Sequence, residues 1–171
     1  MTSSEFEDAY DADDPEPNVY AELFETPIRQ LSLRKPLIIE ASATVADAIG
    51  AMNEHHTGCV LVGKQGKLAG IFTERDVLRR AASKDDSRTV TVGSVMTSDP
   101  ETLNADQSIA FALNHMSVGG FRHIPIVDHH GSPVAVISVR DIIDFLVDLF
   151  PADVLNLPPT SEFGKGSVDG G

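Results

Sequence analysis

Two short polar segments recur along this 171-residue chain: Thr73-Glu74-Arg75-Asp76 and Ser138-Val139-Arg140-Asp141. Each places a hydroxyl three residues ahead of a carboxylate, where an apolar run gives way to a helical pattern. That spacing supports two kinds of chemistry. A Ser or Thr at the N-cap with an acid at N3 is close to a capping box, and the acid complements the positive helix end. Such a cap contributes about 1 kcal/mol. The same helix start, with unsatisfied N–H groups, also suits an anion. A hydroxyl there can donate to a phosphate. A carboxylate one turn in offers two acceptor oxygens to the adjacent hydroxyls of a ribose. On spacing alone, capping and nucleotide binding both stay open.

The polar segments belong to a longer doubling. Val45, Ala48, Ile49 and Met52 recur 64 residues later as Ile109, Ala112, Leu113 and Met116. Gly66, Thr73, Arg75 and Asp76 recur 65 residues later as Gly131, Ser138, Arg140 and Asp141. One inserted residue between helix and strand would account for the difference. A repeat of this length implies two similar units packed about a pseudo-twofold axis, with a cleft between them.

Each copy reads in the same order. A short apolar lead-in (Ile28 and Leu31, or Val92 and Val95) precedes Pro36 or Pro100 and a short extended piece, 37–40 or 101–103. Val45, Ala48, Ile49 and Met52 then fall at i, i+3, i+4 and i+7, one face of a helix, with Thr44 and Ser108 as N-caps. Two apolar runs, 59–62 and 68–72 or 124–127 and 134–137, flank Gly66 or Gly131 as a hairpin. A last helix carries Val77, Leu78, Ala81 and Ala82, or Ile142, Ile143, Leu146 and Val147. The unit is β-α-β-β-α, twice, over 26–88 and 89–150. This predicts an α+β fold with the two sheets packed together and helices outside. A lone copy of about 60 residues would be marginal.

Charge is unevenly placed. The formal charge of −13 comes largely from residues 1–25, which hold nine acids and no Lys or Arg. Residues 26–150 hold 14 acids and 12 bases, so the repeated body is nearly neutral. Residues 1–25 read as an acidic, flexible tail that could still dock through Tyr10, Tyr20, Leu23 and Phe24. Residues 151–171, with Pro158-Pro159 and Gly-rich ends, read as a second tail. Without Lys/Arg clusters, nucleic acid is not an expected partner. No apolar run approaches ~18 residues, so no membrane helix is expected. There is no secretory signal pattern. The single Cys59 cannot form an internal disulfide. These features predict a cytoplasmic protein.

Other residues have plain explanations. His55-His56 and His129-His130 match no zinc spacing, so no metal is expected, and His129-His130-Gly131 reads as a hairpin turn. Cys59 reads as a small buried hydrophobe, with a redox role as the alternative. Gly119-Gly120 lacks the Lys of a phosphate loop and reads as a turn. Arg79-Arg80 reads as a solvated helix end. No nucleophile–base pair or phosphate loop marks an enzyme.

The segments Gly58-Cys59-Val60-Leu61-Val62, Gly66-Lys67-Leu68-Ala69-Gly70-Ile71-Phe72-Thr73-Glu74-Arg75-Asp76, Phe121-Arg122-His123-Ile124-Pro125-Ile126-Val127-Asp128 and Ser138-Val139-Arg140-Asp141 together resemble the two halves of a CBS-domain pair, or Bateman module. Val95-Met96-Thr97 and Pro100 resemble the usual opening of the second half. The resemblance covers about residues 26–150. It implies a stand-alone regulatory module that binds an adenosine-containing ligand in clefts between the halves and pairs into a disc-like homodimer. By that resemblance Asp76 and Asp141 hold ribose hydroxyls, and Thr73 and Ser138 meet phosphate. Ile71 and Val136 line the sugar or base. Backbone near Ile38, Thr102, Val60 and Pro125 frames the adenine, and Arg122 and His123 are basic phosphate ligands. The ligand would be regulatory, with no further cofactor, and the protein target is unknown. Arg122 and His123 align with Thr57 and Gly58, so repeat one has no charge there. One tight site and one weak or empty site are expected. Which cleft Arg122 serves stays open. The alternative function is an interaction or dimerisation module with empty clefts, acting through the acidic tail.

Overall fold

The computed structural model describes residues 19–81 and 87–149. The predicted tails, apart from 19–25, lie outside these residues, as do Tyr10 and Ala82.

Local sequence sets most element boundaries. Helix α2 (Val45–Glu54) starts on a capping box: Thr44 Oγ1 accepts from the Asp47 amide at 3.1 Å, and Asp47 Oδ2 accepts from the Thr44 amide at 3.1 Å. Helix α4 (Ile109–Gly119) starts on Ser108, whose Oγ accepts from the Phe111 amide. It ends on Gly120, whose φ of 67° only glycine adopts without cost. Three of the four predicted stripe positions are buried in each helix: Val45, Ala48 and Met52 in α2, and Ile109, Ala112 and Met116 in α4. Ile49 is half-buried and Leu113 is exposed.

Strands β1 (Ile38–Glu40), β2 (Cys59–Lys64), β3 (Lys67–Thr73) and β4 (Thr97–Ser98) form one sheet in that order. Only β1–β2 is parallel. Strands β5 (His123–Val127) and β6 (Pro133–Ser138) form a second, two-stranded sheet. The extended piece expected at 101–103 shrinks to one parallel bridge, Leu103 to Ile126. Between β2 and β3, Gln65 and Gly66 both take positive φ, the two-residue turn whose twist matches a hairpin. The turn between β5 and β6 is longer. Asp128 Oδ1 holds it by accepting from the amides of His130 and Ser132.

The register corrects where the inserted residue lies. Cys59 pairs with Thr73, and His123 pairs with Ser138. β5 is therefore offset from β2 by 64 residues, and β6 from β3 by 65. The extra residue sits in the β5–β6 turn, not between helix and strand.

Each lead-in packs in the other copy's core. A 3₁₀ turn at Ile28–Gln30 puts Ile28 and Leu31 in one core with Leu103, Ile109, Met116, Ile124, Ile126, Ile137 and Ile142. A 3₁₀ turn at Val92–Ser94 puts Val92 and Val95 in the other core with Val45, Met52, Val60, Val62 and Phe72. Main-chain bonds repeat the exchange: Ile28 N to Gln107 O at 2.8 Å, and Val92 N to Ala43 O at 2.8 Å. Each core therefore takes its opening residues from the other repeat. Cys59, Leu61 and Ile71, with Leu68 and Val136, form a third cluster that joins the two sheets.

Residues 19–25 are not a tail. They form helix α1 (Val19–Glu25), which packs on α4 and sets Leu23 against the second copy's core. Phe24 is 67% exposed. Ordering here comes from tertiary burial, which composition alone does not report.

The exchange predicts that Ile28→Ala costs about 2–5 kcal/mol in urea unfolding. Amide exchange should then quicken first in β5–β6, although Ile28 belongs by sequence to the first repeat. Phe24→Ala should change stability by less than about 0.5 kcal/mol.

Candidate functional site

The two polar segments sit where β3 passes into α3 (Glu74–Asp76) and β6 into α5 (Val139–Leu149). Both make the capping geometry. Asp76 Oδ2 accepts from the Thr73 amide at 3.0 Å and from Thr73 Oγ1 at 2.8 Å. Asp141 Oδ2 accepts from the Ser138 amide at 2.7 Å and from Ser138 Oγ at 2.6 Å. Each cap uses one carboxylate oxygen and leaves Oδ1 to face elsewhere. Asp76 is buried, and its Oδ1 lies 3.4 Å from Arg80 Nη1.

A cleft of about 390 Å³ opens beside Asp76. Five of the sequence-predicted residues line it: Ile71, Thr73 and Asp76 from the first copy, with Arg122 and His123 from the second. The open question about Arg122 is therefore answered in favour of the Asp76 cleft. The other predicted residues lie elsewhere. Ile38 is on exposed β1, and Val60 is inside the first core. Thr102 is exposed, Pro125 is buried in β5, and Val136 packs between the sheets. Ser138 and Asp141 cap the other copy's helix.

The register also corrects the alignment of the basic pair. Glu74 N donates to Gly58 O, and Val139 N donates to Arg122 O. Arg122 therefore corresponds to Gly58, and His123 to Cys59, one residue on from the Thr57-Gly58 alignment. The extra residue in the β5–β6 turn accounts for this shift. The contrast itself stands, because Gly58 and Cys59 carry no charge.

Sequence reasoning missed several cleft residues. Thr97, Asp99, Pro100 and Glu101 form a rim from the inter-repeat segment, and Phe121 adds an aromatic wall. Thr97 and Pro100 stood in the recognised opening of the second half, which was the available signal. Arg75, Arg79 and Arg80 line the cleft as well, so Arg79-Arg80 is more than a solvated helix end. Arg75 Nη1 donates to Gly120 O at 2.6 Å, a cation on the C-terminus of α4. This bond ties the copies together across the cleft.

The second cap has different surroundings. A recess of about 140 Å³ beside Asp141 is lined by Asp144, Asp148, Phe145, Gln30, Leu31 and Ser32, with no Lys or Arg. At the 65-residue offset of the last helix, Arg79 and Arg80 become Asp144 and Phe145. The two clefts differ in size and in charge: four Arg and four acids line the first, while acids alone carry charge in the recess.

Titration follows burial. Burial holds His123 below the ordinary imidazole value, and Arg122 adds to the effect, while Glu74 and Asp141 oppose it. A methyl group on Gly58 would stand 3.3 Å from Glu74 Oε2 and 3.5 Å from His123 Cε1, so a larger side chain would crowd this corner. Burial pushes the Cys59 thiol up to about 11, which keeps it protonated and unreactive at neutral pH. Among the described residues, no three His, Cys, Asp or Glu side chains gather as metal ligands, and no helix is long and apolar enough to cross a membrane.

His123 sets a pH dependence. An unfolded-chain histidine titrates near ~6.5, and folded His123 titrates lower. The unfolded state therefore binds more protons below that value, and stability falls as pH drops through the folded value. His123→Gln should flatten the stability curve below about pH 6.5, read by urea unfolding from pH 7.5 to 5. A variant curve that tracks wild type would contradict the assignment.

Comparisons with known proteins agree with the fold. The CBS domain family model matches residues 28–83 and 92–148. A 17.7 kDa protein of Acidianus ambivalens is 32% identical over 142 residues, covering 82% of this chain and 79% of that protein. The CBS domain-containing protein CBSCBSPB5 of Arabidopsis thaliana is 38% identical over 109 residues, and the match spans only 20% of it. Among solved structures, PAE2072 of Pyrobaculum aerophilum, in complex with AMP, superposes with a TM-score of 0.65 at 22% identity, covering 74% of this chain and all of that one. The CBS pair of MJ0100, with 5′-methylthioadenosine and S-adenosylmethionine, gives 0.66 at 20% identity, covering 72% and 97%. With two matched domains, exchanged lead-ins and a cleft that draws on both copies, the chain belongs to the CBS-domain family and carries a tandem CBS pair.

Proposed function

We propose that this CBS pair is a non-catalytic regulatory module that binds an adenine nucleotide in the Asp76 cleft and leaves the Asp141 recess weak or empty. The observation that carries the reading is the meeting of Thr73 and Asp76 from one copy with Arg122 and His123 from the other in one 390 Å³ space. That volume falls in the range of small-ligand sites, roughly 300–1,000 Å³. Asp76 Oδ1 offers an acceptor to ribose hydroxyls. Arg122 offers a bidentate fork of donors to a phosphate, while Thr73 Oγ1 would give up its bond to Asp76 Oδ2 to donate there. Ile71, Pro100 and Phe121 offer apolar walls to a base. Adenosine-type ligands in PAE2072 and MJ0100 support the same choice. The acidic recess opposes a phosphate, so occupancy should be unequal.

The signal would be the ligand's differential affinity for two arrangements of the pair. Exposed Phe111 and Leu113 on α4 and Ile143 on α5 are suited to pairing with a second copy. A single free, buried Cys59 supports a reducing, cytoplasmic setting.

Calorimetric titration with AMP and ATP tests the assignment. Asp76→Ala should weaken binding about tenfold or more, the worth of a hydrogen bond to a charged group. Asp141→Ala should leave it within about twofold. If neither substitution lowers affinity, the carboxylate assignment is wrong. A nucleotide that binds only the native state must also raise the melting temperature. If none does, the interaction-module reading through the acidic tail takes its place.

A further inference from the structure

Arg80 does something in the first copy that its counterpart cannot do in the second. Beyond Asp76 the helix opens into a π turn, Val77–Ala81, a rare widened geometry. From this turn Arg80 Nη1 donates to Met96 O at 2.7 Å and to Val95 O at 3.3 Å. The same nitrogen stands 3.4 Å from Asp76 Oδ1. One cation thus joins the buried carboxylate of the cleft to the backbone just ahead of β4.

That backbone carries the rim of the cleft. β4 meets β3 only at Gly70–Ser98 and Ile71–Thr97. A methyl group on Gly70 would overlap the Met96 sulfur and come within 2.9 Å of Thr97 O, so the segment lies close against β3. It then turns through Asp99, whose φ of 46° is left-handed, a conformation that costs a non-glycine residue and needs support from its surroundings. At the far end of the rim, Glu101 is held by His115 of α4 at 2.6 Å. The equivalent helix of the second copy, α5, stays α-helical. There Phe145 stands in the place of Arg80 and packs on the core.

We propose that Arg80 is a positioning residue of the first cleft, fixing the rim at 97–101 and Asp76 in the arrangement that admits a nucleotide. This rests on the nucleotide reading of that cleft. Arg80 acts through the Val95 and Met96 carbonyls and through Asp76, not by touching phosphate. The absence of such a residue in the second copy is then one more reason for unequal clefts.

Two measurements on full-length Arg80→Met and Arg80→Lys test it. In ligand-free protein, Arg80→Met should speed amide exchange at Thr97, Ser98 and Asp99 about tenfold, with partial recovery in Arg80→Lys. In calorimetry, Arg80→Met should weaken AMP and adenosine by the same factor, about tenfold. Unchanged rim exchange overturns the proposal. So does a loss of AMP affinity with adenosine unaffected, because that result makes Arg80 a direct phosphate ligand. Wild-type protein that binds neither ligand overturns the nucleotide reading itself, and rim exchange then decides the Arg80 tie separately.

Discussion

The reciprocal docking of the two lead-ins is the constraint on which the rest of the structure depends. Ile28 and Val92 are both fully buried, each in the core built mainly by the other copy. A copy of this size buries too little apolar surface to be comfortable alone. Exchange adds a buried aliphatic side chain to each core, worth roughly 1.5–3 kcal/mol, and makes each core depend on both halves of the chain. It also carries the inter-repeat segment across the first sheet, where β4 pairs with β3. The cleft exists because that segment must pass there.

Within this frame the two copies share a skeleton and differ in charge. Both strand-to-helix junctions keep the same cap, with Asp76 on Thr73 and Asp141 on Ser138. The caps stabilise each junction whatever the clefts hold, so the polar repeat alone could not decide between stability and binding. Divergence at the neighbouring positions is what separates the two junctions. Gly58 and Cys59 correspond to Arg122 and His123, and Arg79 and Arg80 correspond to Asp144 and Phe145. Arg122, His123, Arg79 and Arg80 all line the Asp76 cleft, and Asp144 lines the recess at Asp141. Duplication supplied two equivalent places, and point differences made them unequal.

Much of this was legible in the sequence, and the illegible part has physical causes. The helices α2 and α4, the two hairpins and all four caps follow from local periodicity and N-cap chemistry. Ile71, Thr73, Asp76, Arg122 and His123 could be picked out because motifs mark them. The rim residues Asp99 and Glu101 could not, because a segment that crosses between copies has no local pattern that says where it lands. The exchange of Ile28 and Val92 escaped for the same reason: an apolar lead-in reads alike whichever core receives it. Helix α1 was hidden by its acidic composition, since Leu23 finds its burial on α4 and not along its own chain. Arg122 corresponds to Gly58 and not Thr57 because the extra residue lies in the β5–β6 turn, which only the ladder register reveals.

The central claim is that one cleft, assembled from both copies beside Asp76, is the nucleotide site. Mapping backbone amide shifts during titration with AMP tests it most directly. Shifts should gather at Thr73, Asp76, Arg122, His123 and the rim at 97–101, with Ser138 and Asp141 unmoved. Shifts centred on Ser138 and Asp141, or none at saturating AMP, would contradict it.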